Sequence, residues 1–362
     1  MRVVFDEQIF AIQPVGGISR MFAELAHSFA MGQPTGVDLA PFRTPIVNRY
    51  VLEDQTLRYK MAARQVSSPW TALAFDFADA TPLRDVDVVH STFYLPHGRR
   101  VASKSRRVVT VHDMIPELLP HSRRRLDFMT MKRKYVEAAD QVICVSESTK
   151  RDLLNVYGSI GAPLHVVHHG VSPRFRPDAE RCTFLPKRYL LFVGHRHSYK
   201  DAHVLFQAFG VIAKKELDLE LLCIGGDNFT PMELALFDQF GIRERVKQRF
   251  LEDANVPSAY AHAEAFIFPS QYEGFGLPVL EAMSSGTPAI LARATSLPEV
   301  GGDAAVYFEP GNHQQLADVL TQVVGNSDLR SQIIRRGRVR AREFDWRIAA
   351  TKTKQVYEKA LD

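Results

Sequence analysis

Two glutamates, Glu273 and Glu281, flank a short connection between a strand-like apolar run and a helix-like segment. Pro278 follows the connection at a position typical of the first turn of a helix. The connection itself consists of Gly274, Phe275, Gly276 and Leu277. Glycines let a ligand approach the backbone closely, and amides at a helix N-terminus attract anions. The spacing favours a site for a phosphate-containing ligand whose hydroxyl groups are bound by the carboxylates. Alternatively, Glu281 only complements the helix dipole and Glu273 is a solvated loop residue.

A basic segment, FVGHRHSYK, follows the first strand-like run of the second half of the chain. Its Arg196 and Lys200 would neutralise the negative charge that develops on a departing diphosphate. The alternative is an ordinary basic loop. His195 and His197 lie in the same segment, but no carboxylate or cysteine stands at the spacing of a metal site, so we predict no metal here.

The first half of the chain places two glycines and a histidine after predicted strands. Gly16 and Gly17 open a helix-like segment, although adjacent glycines are more often a plain turn. His112 ends a strand-like run and can donate a hydrogen bond to a sugar hydroxyl; alternatively, it is a structural histidine bonded to a neighbouring carbonyl. Asp113 and Ser146 also follow strands, and both are most simply caps of the next segments.

The triplet Asp85-Val86-Asp87 matches the D-x-D sequence motif with which one class of metal-dependent sugar transferases binds its metal. The residues around it instead have the pattern of a strand that is just beginning. We therefore expect no metal site at this triplet.

Short apolar runs alternate with helix-like segments along the 362 residues. The runs are continuous, which is typical of parallel strands buried on both faces and of doubly wound α/β sheets. Residues 170–188 contain three prolines without periodicity and are interpreted as a linker. We predict an N-terminal Rossmann-like domain over 1–172 and a C-terminal one over 173–344. A final helix is predicted over 345–362, with the N-terminal domain as one candidate packing partner. Two such domains facing one another would form a deep cleft, with ligands beyond the carboxyl ends of the strands.

The glutamate motif resembles that of the retaining, nucleotide-sugar-dependent glycosyltransferases of family four. GGISR, VHDMIP, VSESTKRDLL and FVGHRHSYKD extend the resemblance over nearly the whole chain. It implies the GT-B fold, with an N-terminal acceptor domain and a C-terminal donor domain. It also implies that Glu273 contacts hydroxyls of the donor sugar and that Glu281 holds the nucleotide ribose. The further residues expected to bind the donor are Gly16, Gly17, Gly274, Phe275, Gly276 and Leu277; the resemblance implies that the amides of the last three face the diphosphate and the sugar.

The resemblance implies further roles for His112, near the donor sugar, and for Arg196 with Lys200 at the leaving diphosphate. Many family members have arginine directly after the glycine, where this chain has His195. Whether Arg196 or His195 takes the role of that arginine is therefore open. The implied chemistry needs no metal and no cofactor, because basic side chains and helix amides stabilise the leaving group.

The function implied is transfer of a hexose, with retention, to a hydroxyl of a growing bacterial surface glycan or lipid-linked glycan. The motif variant resembles O-antigen and exopolysaccharide enzymes, many of them mannosyltransferases, which makes GDP-mannose the first expected donor. A UDP- or dTDP-linked donor is one alternative, and a catalytically inactive GT-B binding subunit is another. A sugar-nucleotide epimerase or phosphorylase is disfavoured, because we find no cofactor-lysine pattern and no hydrolytic acid pair.

Charge and composition limit the kinds of partner and the cellular compartment that we expect. Residues 97–134 carry 11 basic and 3 acidic side chains, although the net charge of the chain is only +4. The stretch 121–134 would contact an anionic membrane surface peripherally, or it is a solvated helix whose apolar side packs inward. Little aromatic interleaving and the low net charge argue against nucleic acid. The sequence shows neither a secretory pattern nor a membrane-spanning run, and Cys144 and Cys223 lie in apolar runs. We therefore predict a cytoplasmic protein. If 121–134 contacts a membrane, we expect the protein on the inner face of that membrane.

Overall fold

The computed structural model describes residues 1–78, 85–95, 104–119, 125–196 and 198–362. The chain divides into two compact units. The first unit is formed by Met1–Gly170 together with Asp345–Asp362, and the second by Val171–Phe344.

Each unit contains a six-stranded sheet whose described strand pairs are all parallel. The strands of the first unit are β1 (Arg2–Phe5), β2 (Asp38–Leu39), β3 (Val88–Ser91), β4 (Arg106–Val111), β5 (Gln141–Cys144) and β6 (Leu164–Val166). Those of the second unit are β7 (Tyr189–Val193), β8 (Glu220–Ile224), β9 (Val246–Arg249), β10 (Ala265–Phe268), β11 (Ala289–Ala292) and β12 (Val306–Phe308). The predicted pair of doubly wound α/β sheets is confirmed. The two-residue β2 was not predicted, because it is too short to leave a pattern.

Helices alternate with these strands. Before β7 they are α1 (Gln8–Ile12), α2 (Gly17–Ala30), α3 (Arg49–Glu53), α4 (Gln55–Lys60), α5 (Pro69–Ala78), α6 (Ile115–Leu118), α7 (Arg125–Glu137) and α8 (Glu147–Tyr157). After β7 they are α9 (Ala202–Ile212), α10 (Pro231–Phe240), α11 (Val256–Ala261), α12 (Leu277–Ser284), α13 (Leu297–Gly301), α14 (His313–Gly325), α15 (Ser327–Ala341) and α16 (Trp346–Leu361). Short 3₁₀ turns occur at Ser198–Lys200, Arg243–Arg245, Asp253–Asn255 and Gly302–Ala304.

The order of strands singles out one position in each sheet. The orders are β2-β1-β3-β4-β5-β6 and β12-β11-β10-β7-β8-β9. The direction of winding therefore reverses between β1 and β3 in the first sheet, and between β7 and β10 in the second. Ligands of open parallel sheets bind beyond the carboxyl ends of the strands at such reversals. The residues that follow these four strands are thus the best placed for chemistry.

Two predicted caps occur where the sequence suggested them. The Ser146 hydroxyl accepts a hydrogen bond from the Thr149 amide at 2.9 Å, at the start of α8. The Asp113 carboxylate accepts one from the Ile115 amide at 3.0 Å, at the start of α6. Each side chain satisfies an amide that the first turn of a helix leaves without a partner.

The segment interpreted as a linker, 170–188, packs on the second unit instead. Phe175 is buried against the ring of Tyr260, at a centroid distance of 5.6 Å. The hydroxyl of Ser284 donates to the carbonyl oxygen of Phe175 at 2.7 Å, and Arg174 forms an ion pair with Asp253. Prolines and charges gave this segment the composition of a linker, while its few apolar side chains anchor it.

The C-terminal helix α16 packs within the first unit. Its buried Tyr357 hydroxyl shares a hydrogen bond of 2.7 Å with Nδ1 of His90 in β3. Its Trp346 stacks on His169, with ring centroids 5.8 Å apart. These contacts tie the last helix of the chain to the first sheet.

The basic stretch 121–134 is only partly described, since Arg123 and Arg124 lie outside the described residues. Lys132 is buried, and its ammonium group donates to Oε2 of Glu117 at 2.8 Å and to the carbonyl oxygen of Asp113 at 2.9 Å. Lys132 therefore does not contribute charge to a membrane-facing surface, contrary to the sequence expectation. Within the described ranges, no helix has both the length and the apolarity that crossing a bilayer requires.

Buried histidines make the stability of the first unit depend on pH. Burial lowers the pKa of His90 to about 3, of His112 to about 4 and of His169 to about 3, from an ordinary value of 6.5. Below pH 6.5 these histidines bind a proton in the unfolded chain but not in the folded chain. The free energy of unfolding therefore decreases as the pH is lowered. Asp6, with its pKa raised to about 7 by burial, acts in the opposite direction. Since burial also lowers the pKa of His165, four histidines oppose one aspartate, and acidification below pH 6.5 destabilises the first unit.

We expect the melting temperature to fall when the pH is lowered from about 7 to about 5, as measured by calorimetry. His90→Gln should remove part of this pH dependence, because one of the contributing histidines is lost. His313→Gln changes an exposed histidine and should leave the dependence intact. An unchanged or rising melting temperature on acidification would contradict the burial of these rings in neutral form.

Candidate active site

The connection between β10 and α12 is held by hydrogen bonds to its backbone. Gly276 has a φ of 109°, in the left-handed region that favours glycine, and it directly precedes α12. The Ser296 hydroxyl lies 2.9 Å from the carbonyl oxygen of Glu273 and 2.8 Å from that of Phe275. Thr295 Oγ1 accepts from the amide of Glu273 at 2.9 Å. The loop at the start of α12 therefore has a defined backbone, as an anion site at a helix terminus requires.

Lys200 and Glu273 form an ion pair at the reversal point of the second sheet. Lys200 comes from the turn after β7, and Glu273 follows β10, the strand hydrogen-bonded to β7. Lys200 Nζ donates to Glu273 Oε1 at 2.7 Å, with side chains only 18% and 11% exposed. At this degree of burial the attraction is screened less than that of a surface pair. Glu273 is thus not the solvated loop residue of the alternative interpretation.

Glu281 is held by a buried tyrosine. It lies in the second turn of α12 and is 6% exposed. The Tyr260 hydroxyl, from α11, donates to Oε2 of Glu281 at 2.9 Å. Sequence reasoning missed Tyr260, because a tyrosine in a helix gives no local signal of a partner 21 residues later. A carboxylate oriented in this way is suited to accept hydrogen bonds from ligand hydroxyl groups.

Arg196 faces a different part of the second unit. Its guanidinium pairs with Glu233 at 2.9 Å, donates to the carbonyl oxygens of Gly225 (3.2 Å) and Asp227, and covers the ring of Phe229 at 4.6 Å. It lines a cavity of about 720 Å³ between α9 and α10. Within the described residues, no hydrogen bond or ion pair joins Arg196 to Glu273. The structure therefore brings Lys200, but not Arg196, to the glutamate loop.

Two neighbours of Arg196 in sequence were also candidates. His195 is exposed, and His197 lies outside the described residues. The chain turns between Arg196 and Lys200, where Ser198 has a φ of 56°, and Asp201 follows with a φ of 53°. The two basic side chains have different partners, Glu233 for Arg196 and Glu273 for Lys200, which a spacing of four residues could not reveal.

Gly16 and Gly17 stand at the start of α2, as predicted. A Cβ atom on Gly16 would lie 2.3 Å from the end of the Gln13 side chain, so a larger residue there would displace that glutamine. Gln13 Oε1 accepts from the amide of Ser19 at 3.0 Å and caps the helix. On Gly17 an added Cβ would meet nothing within 4 Å in the described part of the chain. Gly16 thus leaves room for the Gln13 side chain that caps α2, and Gln13 is a cap that the sequence did not indicate.

His112 follows β4 and is buried, with Nε2 at 3.3 Å from the carbonyl oxygen of Thr92. A carbonyl oxygen can only accept, so Nε2 carries the proton. Burial lowers the pKa of His112 to about 4, so at neutral pH the ring has no second proton. Nδ1 is therefore an acceptor. The ring therefore fits the alternative interpretation, a histidine bonded to a neighbouring carbonyl, while contact of His112 with a sugar hydroxyl stays a prediction.

The described ranges contain no group of three or more histidine, cysteine, aspartate or glutamate side chains arranged to hold a metal ion. In the Asp85-Val86-Asp87 triplet, Asp87 Oδ2 accepts from the amide of Arg2 at 2.7 Å, at the start of β1. This bond supports the interpretation of the triplet as the beginning of a strand.

Comparison with known proteins agrees with this architecture. The family model "Glycosyltransferase Family 4" matches residues 15–175, and "Glycosyl transferases group 1" matches residues 180–340. An O-antigen chain mannosyltransferase B from Escherichia coli is 28% identical over 280 residues, which cover 74% of this chain and 72% of the relative. An MMP alpha-(1->4)-mannosyltransferase from Mycolicibacterium hassiacum is 28% identical over an aligned length of 387 residues. The alignment covers 95% of this chain and 93% of the relative.

Among solved structures, a sucrose-phosphate synthase from Thermosynechococcus elongatus is similar with a TM-score of 0.73 at 18% identity. The similarity covers 99% of this chain and 98% of that chain, and it concerns the fold alone. Together with the two parallel sheets and the glutamate loop, these matches show that the chain belongs to glycosyltransferase family four and is a nucleotide-sugar-dependent enzyme with the GT-B fold.

Proposed function

We propose that the protein is a retaining hexosyltransferase that transfers mannose from GDP-mannose to a hydroxyl group of a growing bacterial surface glycan. The observation that carries this proposal is the ion pair of 2.7 Å between Lys200 and Glu273, at the reversal point of the second sheet and beside the start of α12. The similarity to two mannosyltransferases, one of them acting on O-antigen chains by its name, supports the choice of sugar and acceptor.

In the proposed site, the diphosphate lies against the amides of Phe275, Gly276 and Leu277. Lys200 neutralises the charge that grows on the diphosphate as the bond to the sugar breaks. Glu273 binds hydroxyls of the mannose and shares Lys200 with the diphosphate. Preorganised charges of this kind stabilise a transition state without reorganising during the reaction.

Glu281, held by Tyr260, binds the two hydroxyls of the ribose in this proposal. The acceptor hydroxyl attacks the anomeric carbon from the face that the diphosphate leaves. Its proton passes to the departing phosphate oxygen, so the new bond has the configuration of the old one. Binding energy from the remote nucleotide helps to orient the reacting sugar.

The donor is tested by thermal unfolding with GDP, UDP and dTDP, followed by product analysis with GDP-mannose. We expect GDP to stabilise the protein most, by about 2.7 kcal/mol at 100 times its Kd. Glu281→Ala should abolish the shift, and the mannosyl product should show a retained anomeric configuration by NMR. Preferential stabilisation by UDP or dTDP would reassign the donor, and an inverted product would refute retention. No shift with any nucleotide would refute the donor site.

We also propose that transfer needs no metal, because Lys200 and the amides at the start of α12 supply the positive charge for the diphosphate. Addition of EDTA in excess should leave kcat and the KM for the donor within about twofold of their values without chelator, since the required charge is part of the chain. Rates are measured by release of GDP. Loss of activity with EDTA and recovery with Mg²⁺ or Mn²⁺ would contradict this prediction.

A further inference from the structure

Three adjacent strands of the first sheet end in a buried polar cluster that the proposed function does not yet use. Asp6 follows β1, Thr92 follows β3 and His112 follows β4. Asp6 and Thr92 therefore lie on either side of the reversal point of this sheet. Asp6 is 2% exposed, and Thr92 is fully buried.

The carboxylate of Asp6 accepts three hydrogen bonds. Oδ1 accepts from the amide of Thr92 at 2.8 Å and from its hydroxyl at 2.6 Å, and Oδ2 accepts from Nε2 of Gln8 at 2.7 Å. Burying a carboxylate is costly unless it is well hydrogen-bonded. Because the backbones of β1 and β3 already pair from Val3 to Phe5, strand pairing does not explain this carboxylate.

Thr92 connects Asp6 to His112. Its amide and hydroxyl both donate to Asp6, and its carbonyl oxygen accepts a hydrogen bond from Nε2 of His112, with 3.3 Å between nitrogen and oxygen. Phe22 and Tyr94 contact the same imidazole ring, at centroid distances of 5.8 and 6.4 Å. Aromatic neighbours limit where the ring lies, but only the carbonyl determines which nitrogen is protonated.

We propose that Asp6 is a positioning residue that acts through Thr92 to fix the tautomer of His112, so that Nδ1 accepts a hydrogen bond from a substrate hydroxyl. The nature of that substrate rests on the proposed function. No hydrogen bond to Nδ1 comes from the residues that the structure describes, which leaves this acceptor available to a ligand. The group facing His112 must then be a donor, so a sugar that lacks this hydroxyl or carries an ether there is disfavoured.

The tautomer is tested directly by ¹⁵N NMR of protein labelled at histidine, without any substrate. In the parent, His112 should show a protonated Nε2 and an unprotonated Nδ1. Asp6→Asn replaces an acceptor oxygen with an amide nitrogen that, like Gln8 Nε2 and the Thr92 amide, can only donate. The Thr92 carbonyl should then be held less well, and the His112 resonances should shift toward a mixture of tautomers. Asp87→Asn is the matched control, because Asp87 also accepts a backbone amide of β1 but lies at the opposite end of the sheet. It should leave the His112 resonances unchanged.

Kinetics test whether Asp6 acts through His112. Asp6→Asn should lower kcat/KM about 10- to 100-fold, the effect of leaving buried hydrogen-bonding groups without their partner. In a His112→Ala background, the same change should cause little further loss, because the residue through which Asp6 acts is gone. If Asp6→Asn does not fold, Thr92→Val removes the hydroxyl and keeps the carbonyl, and it takes its place in both experiments.

Unchanged His112 resonances in Asp6→Asn would overturn the inference, as would an equal loss of rate with and without His112. The parent enzyme separates this outcome from a failure of the proposed function. If GDP-mannose is not a substrate, the parent has no rate to lose, while the ¹⁵N pattern still confirms or refutes the tautomer.

Discussion

Glu273→Gln is expected to lower kcat by a factor of about 10² to 10³, with less effect on the KM for the donor. The change removes the negative charge that faces the reacting sugar, and it breaks the ion pair that orients Lys200. An interaction that strengthens in the transition state is lost mainly from kcat. Initial rates over a range of GDP-mannose concentrations measure both parameters.

Glu264→Gln is the matched control for this prediction. Glu264 directly precedes β10, whereas Glu273 follows it, and Glu264 also pairs with basic side chains, Arg188 and Arg330. A carboxylate at the amino end of the same strand should matter little for the rate. Equal losses in the two variants, or a Glu273→Gln enzyme within about threefold of the parent, would contradict a role of Glu273 in the reaction.

Lys200→Gln is expected to lower kcat/KM by about 10² to 10³ and to weaken binding of GDP. Glutamine keeps a hydrogen-bond donor for Glu273, so the loss reports mainly the missing positive charge. The affinity for GDP is measured by calorimetry, and the rate by release of GDP. Retention of both within about threefold would show that Lys200 does not stabilise the diphosphate.

Arg196→Gln distinguishes the two basic candidates. Because the guanidinium is buried in contacts with Glu233 and two carbonyl groups, its loss should mainly lower the free energy of unfolding, by about 3 to 5 kcal/mol. The loss in kcat/KM should stay below that of Lys200→Gln. A variant of normal stability with the larger catalytic loss would return the role of the family arginine to Arg196.

Much of the architecture follows from local patterns in the sequence. Continuous apolar runs such as Tyr189–Val193 and Ala265–Phe268 predict buried parallel strands, and parallel strands place the residues after them at one edge of the sheet. Lys200 and Glu273 could therefore be assigned to the same region before their ion pair was seen. Pro278 and the two glycines likewise predicted the start of α12.

The remaining features depend on distant or directional contacts. Asp6 and Thr92 are 86 residues apart, and no periodicity connects them. Tyr260 and Glu281 are partners only because α11 and α12 are neighbours. Arg196 pairs with Glu233, which lies 37 residues later, and the protonated nitrogen of His112 depends on the position of one carbonyl group. Composition and spacing carry none of this information.

A crystal structure with bound GDP tests the proposed donor site at the start of α12 more directly than any variant. We expect the diphosphate to lie against the amides of residues 275–277, with Lys200 in contact, and the ribose hydroxyls to be hydrogen-bonded to Glu281. A nucleotide bound elsewhere, for example in the cavity beside Arg196, with Lys200 and Glu273 still paired and untouched, would contradict it.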